Sequence, residues 1–292
     1  MNTTNLTTQE NISLVKEIAM VAPIDTPLTT LLLANGKEKP STAKIHVWRE
    51  KTLNLTDDVS VAEGSDATNF ANGVRAEMNN VMEIFMKSAK VSGTAQASGA
   101  VGDLFSGEIN DRLAELKVNI EKRLIGGVKD DGSLSGIRKM DGILKFVDAS
   151  NKIVGATKGV ITEVEVKQLA RKLWEQGAGT GKIYALVNAD IKEQIDELYK
   201  DRYNYQAKTN EFGLVVQTID TNYGRLNFVL DRHMPIDKII AFDLNALSIA
   251  WLRQPVFELL GKTGDSTQGQ VLAEATLEVL SKKAVVEYTI KA

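Results

Sequence analysis

Hydrophobic positions along this chain follow two periods, and each marks a different kind of element. Between Asp103 and Leu124, the residues Ile109, Leu113, Leu116, Ile120 and Leu124 recur at spacings of three and four, which places them on one face of a helix. Glu108, Asp111, Glu115, Lys117, Glu121 and Lys122 are assigned to the opposite face, and at about 1.5 Å per residue the element is roughly 30 Å long. Gly126 and Gly127 are expected to end it. The stripe does not run through three or more heptads, so packing against a sheet of the same chain is expected rather than a coiled coil.

Upstream of this helix the pattern is extended. Residues 43 to 53, AKIHVWREKTL, and 81 to 95, VMEIFMKSAKVSGTA, are rich in branched and aromatic side chains and read as strands. The residues between them are dominated by Asp, Asn, Gly, Ser and Thr. So long a polar insert implies disorder, a lid, or a two-stranded projection that is completed by another molecule, because an isolated two-stranded ribbon is barely stable in water. Residues 1 to 10 are polar and threonine-rich and are expected to form a mobile arm. Asn11 is placed to cap a short helix carrying Ile12, Val15, Ile18 and Ala19, and Pro23 and Pro27 predict an extended connector after it.

Beyond the glycine-punctuated stretch 126 to 143, helical and extended patterns alternate. Thr162 is placed to cap a helix carrying Val166, Leu169, Ala170, Leu173 and Trp174; KIYALVN at 182 to 188 reads as a buried strand; Ala189 to Lys200 is helical; and LVVQTID and LNFVLD pair around Asn222 and Gly224. From Ile239 onward IIAFD, LSIAWL, PVFELL, VLAEATLEVL and AVVEYTI form a succession of strands, expected to return beside the long helix for a hydrophobic partner. Two lobes result, the first discontinuous in sequence.

Composition narrows the function classes. A chain of 292 residues can bury a substantial core as one elaborate domain or two modest ones. A net charge of −3 and a pI near 5.6 argue against a dedicated nucleic-acid binder. The absence of cysteine excludes disulfides and thiolate metal sites. The amino terminus has no basic start followed by an apolar core, and no run of about 18 apolar residues occurs, so neither a secretion signal nor a membrane span is expected and the product reads as soluble and made inside a cell.

Candidate chemistry is sparse. Gly177, Gly179, Gly181 and Lys182 invite comparison with a phosphate loop, but Gln176 and Ile183 break the GxxxxGK[ST] spacing, and the segment leads into a strand rather than a helix. Gly261, Lys262 and Thr263 fail likewise, since Val256 stands where a glycine is required. The two histidines, His46 and His233, form no metal motif, and there is no GxSxG elbow. Trp174 and Trp251 are expected as core anchors. Trp48, on a projecting ribbon with little core of its own, is a candidate for burial against another subunit.

The segments PIDTPL at 23 to 28, WREKTL at 48 to 53, EGSDAT at 63 to 68, KSAKVSGTAQA at 87 to 97 and LLGKTGDSTQGQVLAEATLEV at 259 to 279 together resemble the major capsid proteins of tailed phages. That resemblance implies the α+β Hong Kong 97-type capsid fold: an N-terminal arm at 1–40, an extended two-stranded loop at 41–97, a peripheral domain with a spine helix at 98–143 and 239–292, and an axial domain at 144–238. It implies a non-enzymatic subunit without cofactor or metal that self-assembles through hexamers and pentamers into an icosahedral head enclosing double-stranded DNA. Trp48, Arg49, Glu50, Glu63 and Asp66 become candidate inter-subunit contacts. Portal, scaffolding and decoration proteins are the implied partners, binding to DNA is not sequence-specific, no membrane is involved, and assembly in the host cytoplasm leads to the virion capsid. Some family members join subunits covalently through a lysine, but nothing in the sequence marks Lys51, Lys87 or Lys90 for that role. An encapsulin-type cargo shell shares the fold class, and a nucleotide-binding enzyme using the Gly177–Lys182 loop is the alternative from a different class.

Overall fold

The apolar stripe from Ile109 to Leu124 lies within a 23-residue helix, Leu104–Gly126, in a computed structural model that describes residues 26–53, 60–66, 70, 73–98, 104–178, 182–200, 209–211, 214–262 and 264–291. In chain order the helices are α1 (Pro27–Ala34), α2 (Gly93–Ser98), α3 (Leu104–Gly126), α4 (Glu163–Glu175) and α5 (Ala189–Tyr199). The strands are β1 (Glu38–Pro40), β2 (Ile45–Thr52), β3 (Val74–Val81), β4 (Glu83–Ser92), β5 (Lys152–Lys158), β6 (Ile183–Val187), β7 (Thr209–Glu211), β8 (Leu214–Thr221), β9 (Gly224–Leu230), β10 (Lys238–Asp243), β11 (Leu247–Leu260), β12 (Ser266–Val279) and β13 (Val285–Lys291). The expected helix around Ile12 to Ala19 lies outside the described residues.

Helix α3 packs on a four-stranded sheet of order β1-β11-β12-β4, against β4 and β12. Its face of Ile109, Leu113, Leu116, Ile120 and Leu124 is buried there, as the periodicity predicts. LSIAWL and PVFELL, read as separate strands, form the single 14-residue β11. The pairing with β12 shifts register between Trp251 and Arg253 and again between Arg253 and Val256. Pro255 has no N–H to give to the ladder, so the irregularity falls where the sequence forbids regular pairing.

The opposite face of α3 departs from expectation. Lys117 and Glu121, assigned to solvent, are 3% and 0% exposed. Helix α1 covers this arc, and the segment expected as an extended connector is helical because Pro27 occupies the first turn, where a missing N–H costs nothing. Thr26, its N-cap, offers no side-chain cap. Glu121 takes that role: Oε1 accepts the Leu28 amide at 2.7 Å, and Oε2 accepts the Thr29 amide at 2.8 Å and the Thr29 hydroxyl at 2.5 Å. The orphan donors at the start of one helix are thus satisfied by a side chain from the middle of another.

The second lobe is built on a seven-stranded mixed sheet of order β5-β13-β10-β6-β9-β8-β7. Every residue of β6 is buried, and alternate residues serve different cores. Ile183, Ala185 and Val187 pack with Val166, Leu169 and Leu173 of α4 and Ile191 and Ile195 of α5. Tyr184 and Leu186 face the other way, into the core that also holds α3. Strands β10 and β13 belong to this sheet, flanking each other beside β6, and so do not return beside the long helix as expected. Their runs IIAF and VVEY need cover on both faces, which an interior place in a wide sheet provides. Only β11 and β12 of the C-terminal strands join the sheet under α3.

The expected strand at 81 to 95 is divided. Residues 74–81 pair with β2 as an antiparallel ribbon, while 83–92 pair with β12, and the buried Met82 between them donates its amide to Lys44 O at 2.9 Å. Residues 93 to 98 are helical. Thr162 caps α4 in a reciprocal box with Glu165, as its spacing predicts. Trp251 is buried, but Trp174 is 61% exposed and rests on Tyr223 with ring centroids 5.8 Å apart, so it is no core anchor.

Leu116 is 1% exposed between α3 and the sheet. Leu116→Asp should therefore cost on the order of 4 kcal/mol, enough to remove most soluble folded protein, by placing an unpaired charge there. Soluble yield and the thermal midpoint of any folded fraction measure this; a variant with an unchanged midpoint would mean that α3 does not pack through this face.

Candidate assembly surface

The ribbon of β2 and β3 presents two faces of opposite character. Alternation along β2 sends His46, Trp48 and Glu50 inward and Ile45, Val47, Arg49 and Lys51 outward. The inward set is fixed to the far end of β12 and the residues after it. The Trp48 indole donates to Val279 O at 2.7 Å and its ring lies 5.8 Å from that of Phe146; Glu50 accepts from the Ser281 hydroxyl; His46 Nε2 lies 2.7 Å from Glu278 Oε2. Lys39 takes the other Glu278 oxygen at 2.7 Å. A buried carboxylate thus holds one group from the strand before the ribbon and one from the ribbon itself.

Asn80 completes the root. It is fully buried, and its amide nitrogen donates to Leu277 O at 2.9 Å and Asp141 O at 3.0 Å, while its oxygen accepts the amides of Val81 and Asp141, each at 2.9 Å. With all four bonds made, this polar residue determines where the ribbon leaves the body. Glu83, one step further, accepts the Met140 amide at 3.0 Å and pairs with Arg123 of α3 at 3.1 Å. Burial pushes its carboxyl above the usual range, opposed by that amide and by the guanidinium.

Trp48 is 8% exposed within its own chain, so the expectation that it needs a neighbouring subunit for burial is corrected. The ribbon is not a free projection at its root; it lies on β12 and supplies a core for the indole. Arg49 is exposed on the other face, opposite Glu77 in the pairing register. Glu63 and Asp66 are exposed beyond the end of β2, and neither forms an ion pair with another described residue. The structure therefore groups Trp48 and Glu50 at the root, and places Arg49, Glu63 and Asp66 on exposed positions. Between β2 and the start of β3 in the sequence, Val61, Phe70 and Val74 are 80%, 86% and 71% exposed. Apolar side chains so uncovered beside a narrow ribbon constitute a surface suited to contact with another molecule.

Sequence reasoning missed His46, Asn80, Glu121, Asp231 and Glu278. A signal existed for one of them: Glu278 interrupts the apolar run of ATLEVL, where a charge needs a partner.

Among the described residues no group of three or more His, Asp or Glu side chains is placed to hold a metal ion, and no helix is long and apolar enough to cross a membrane. Gly177 has φ +73° and follows the C-terminus of α4, whose carbonyls would repel a phosphate. Residues 179–181 of that loop lie outside the described residues.

The sequence profile of the family described as SU10 major capsid protein matches residues 1–290. No curated protein matches the chain. Among solved structures, the Cyanophage A-1(L) capsid is similar at 13% identity and a TM-score of 0.65, over 91% of this chain and 93% of that one. A solved structure from Microbacterium phage Oxtober96 is similar at 14% identity and a TM-score of 0.62, over 89% and 90%. The SrpI encapsulin of Synechococcus elongatus PCC 7942 is similar at 12% identity and a TM-score of 0.64, over 89% and 86%. These likenesses establish a common shell fold.

Trp48→Ala should destabilise the unassembled subunit by about 3–5 kcal/mol. Trp174→Ala, which removes an exposed ring, should change it by no more than about 0.5 kcal/mol. Urea denaturation of the two purified variants is the comparison, and equal losses would contradict the placement of the two rings.

Proposed function

The chain belongs to the SU10 major capsid protein family, and on that premise we propose how its shell is made. It is the head-shell protein of a tailed bacteriophage and assembles with copies of itself. In our reading the copies form hexamers and pentamers that close into an icosahedral head around double-stranded DNA. The observation that carries this reading is the family match from residue 1 to residue 290.

The ribbon is the element we assign to inter-subunit contact, through its outward face and the exposed Arg49, Glu63 and Asp66 rather than through Trp48. Heterologous contacts that close need segments reaching beyond the subunit's own core, and exposed charges there set register and partner choice more than affinity. The near balance of 35 basic and 38 acidic residues suits a container whose contents must move, since a strongly basic lining would bind the genome tightly. DNA is therefore enclosed without sequence-specific binding. We assign the subunit no catalytic role, and place its assembly in the host cytoplasm with portal, scaffolding and decoration proteins as separate partners.

Electron microscopy of the purified chain, alone and with its scaffolding protein, tests the reading: shells or capsomer rings support it, and a persistent monomer at high concentration overturns it. Small uniform shells loaded with a cellular enzyme would instead favour the encapsulin-type reading, which the fold shared with SrpI raises. Arg49→Ala should shift the subunit's thermal midpoint little, since the side chain is exposed, while reducing sedimenting particles at least tenfold. Full particle yield from this variant would exclude Arg49 from the interface.

A further inference from the structure

Asp231 lies in the turn between β9 and β10, is fully buried, and reaches the same spot on α3 as the cap of α1. Its Oδ1 accepts the His233 amide at 2.8 Å, and its buried Oδ2 has no hydrogen-bond donor among the described residues. The group beside it is the carboxyl of Glu121, itself fully buried. Two ionised carboxylates cannot be held together out of water without a cation between them. One proton removes the conflict, since a protonated Glu121 donates to Asp231 while its oxygens still accept from Leu28 and Thr29.

We propose that Glu121 and Asp231 share a single proton, and that this proton latches both α1 and the 231–234 turn of the axial lobe onto the spine helix. The latch joins three parts of the chain far apart in sequence through one pair of side chains. The charged groups that act on it are Arg232 and His233 in the turn carrying Asp231; Lys117 lies one turn earlier on the spine and is itself buried, and α1 supplies none, as its sequence PLTTLLLA has no charge. Arg232 and His233 act on Asp231 and favour its ionised form, which leaves the proton on Glu121.

Burial, and then the neighbouring Asp231 charge, push Glu121 from its ordinary value of 4.5 up to about 8. Burial raises Asp231 as well. An acid whose folded-state value lies above its unfolded one binds more protons when folded, so its contribution is fully present below about 4.5 and is lost as pH rises through about 8. The latch is closed at neutral pH and opens under mildly alkaline conditions. It involves contacts within one chain and does not depend on how copies are arranged in a shell.

Infrared difference spectra of the full-length chain between pH of about 7 and about 9.5 should show the carbonyl stretch of a buried protonated carboxyl that vanishes on ionisation. Glu121→Gln should abolish the band by replacing the acid, and Asp231→Asn should move its loss to lower pH by removing the competing charge while burial remains. Over the same pH interval, hydrogen exchange in residues 28–34 and 231–234, corrected for intrinsic base catalysis, should accelerate roughly tenfold in the unmodified chain and stay level in Glu121→Gln. Absence of the band from the unmodified chain overturns the proposal even if neither variant folds. Equal acceleration in Glu121→Gln overturns the latch while leaving the shell function untouched.

Discussion

Burial of α3 along two different arcs is the constraint on which the rest of the molecule depends. One arc is apolar and non-directional: Leu113, Leu116, Ile120 and Leu124 press on β4 and β12, and many substitutions of similar volume could fill that space. The other arc is polar and directional, with Glu121 satisfying the start of α1 through three hydrogen bonds. A buried acid tolerates only the arrangement that partners it, so the second arc fixes orientation where the first supplies cohesion. The second lobe shares the core of α3 through Tyr184, Leu186, Ile240 and Phe242, which leaves the junction of the two lobes as a packed seam rather than a linker.

The ribbon follows the same division. Its root buries Trp48, Met78, Val81 and Met82, and the position of that root is set by Asn80 and Glu278, whose partners lie on β12, on the strand before the ribbon, on the ribbon itself and in the loop preceding residue 142. A two-stranded element cannot hold itself rigid in water, but one pinned at its base by saturated polar groups leaves the body at a defined angle. The outward face then carries Arg49 and the exposed apolar residues near it to a place set by the pinned end. Rigidity at the root and exposure beyond it are what a subunit needs if its neighbours are copies of itself.

Periodicity made the spine, the capping of α4, the fully buried β6 and the helix from Ala189 legible, because each is decided by its own residues and their spacing. The segments that were not legible are those decided by partners. Pro27 reads equally as the end of an extended run or the first turn of a helix, and the choice is made by Glu121, 94 positions downstream in the numbering. Lys117 and Glu121 look like a solvated face until α1 and the 231–234 turn cover them. IIAFD and AVVEYTI are plainly strands, but a run of apolar residues does not reveal which sheet receives it. Trp48 and Trp174 exchanged roles for the same reason: the indole on the supposed projection found a core in β12 and Phe146, while the one completing a helical stripe lies exposed against Tyr223. Of the candidate contact residues, Arg49, Glu63 and Asp66 are exposed in the single chain.

The charges of the chain are sorted by depth in a way that suits a repeating subunit. Glu83, Glu121, Asp231 and Glu278 are buried and each serves a junction between elements distant in sequence, so their interactions escape screening by salt. The exposed set behaves differently: Lys87 holds Glu115 at 3.1 Å beside Arg112 at 2.7 Å, and the Lys87 hydrogen bond keeps that carboxyl below its usual range, yet all three groups face water. Pairs of this kind contribute little to the stability of one copy and exchange partners at small cost. A subunit whose interior polar contacts are fixed and whose surface ion pairs are interchangeable can keep its own shape while its charged surface is re-paired with the next copy. That separation allows errors at an interface to be reversed without unfolding the subunit that made them.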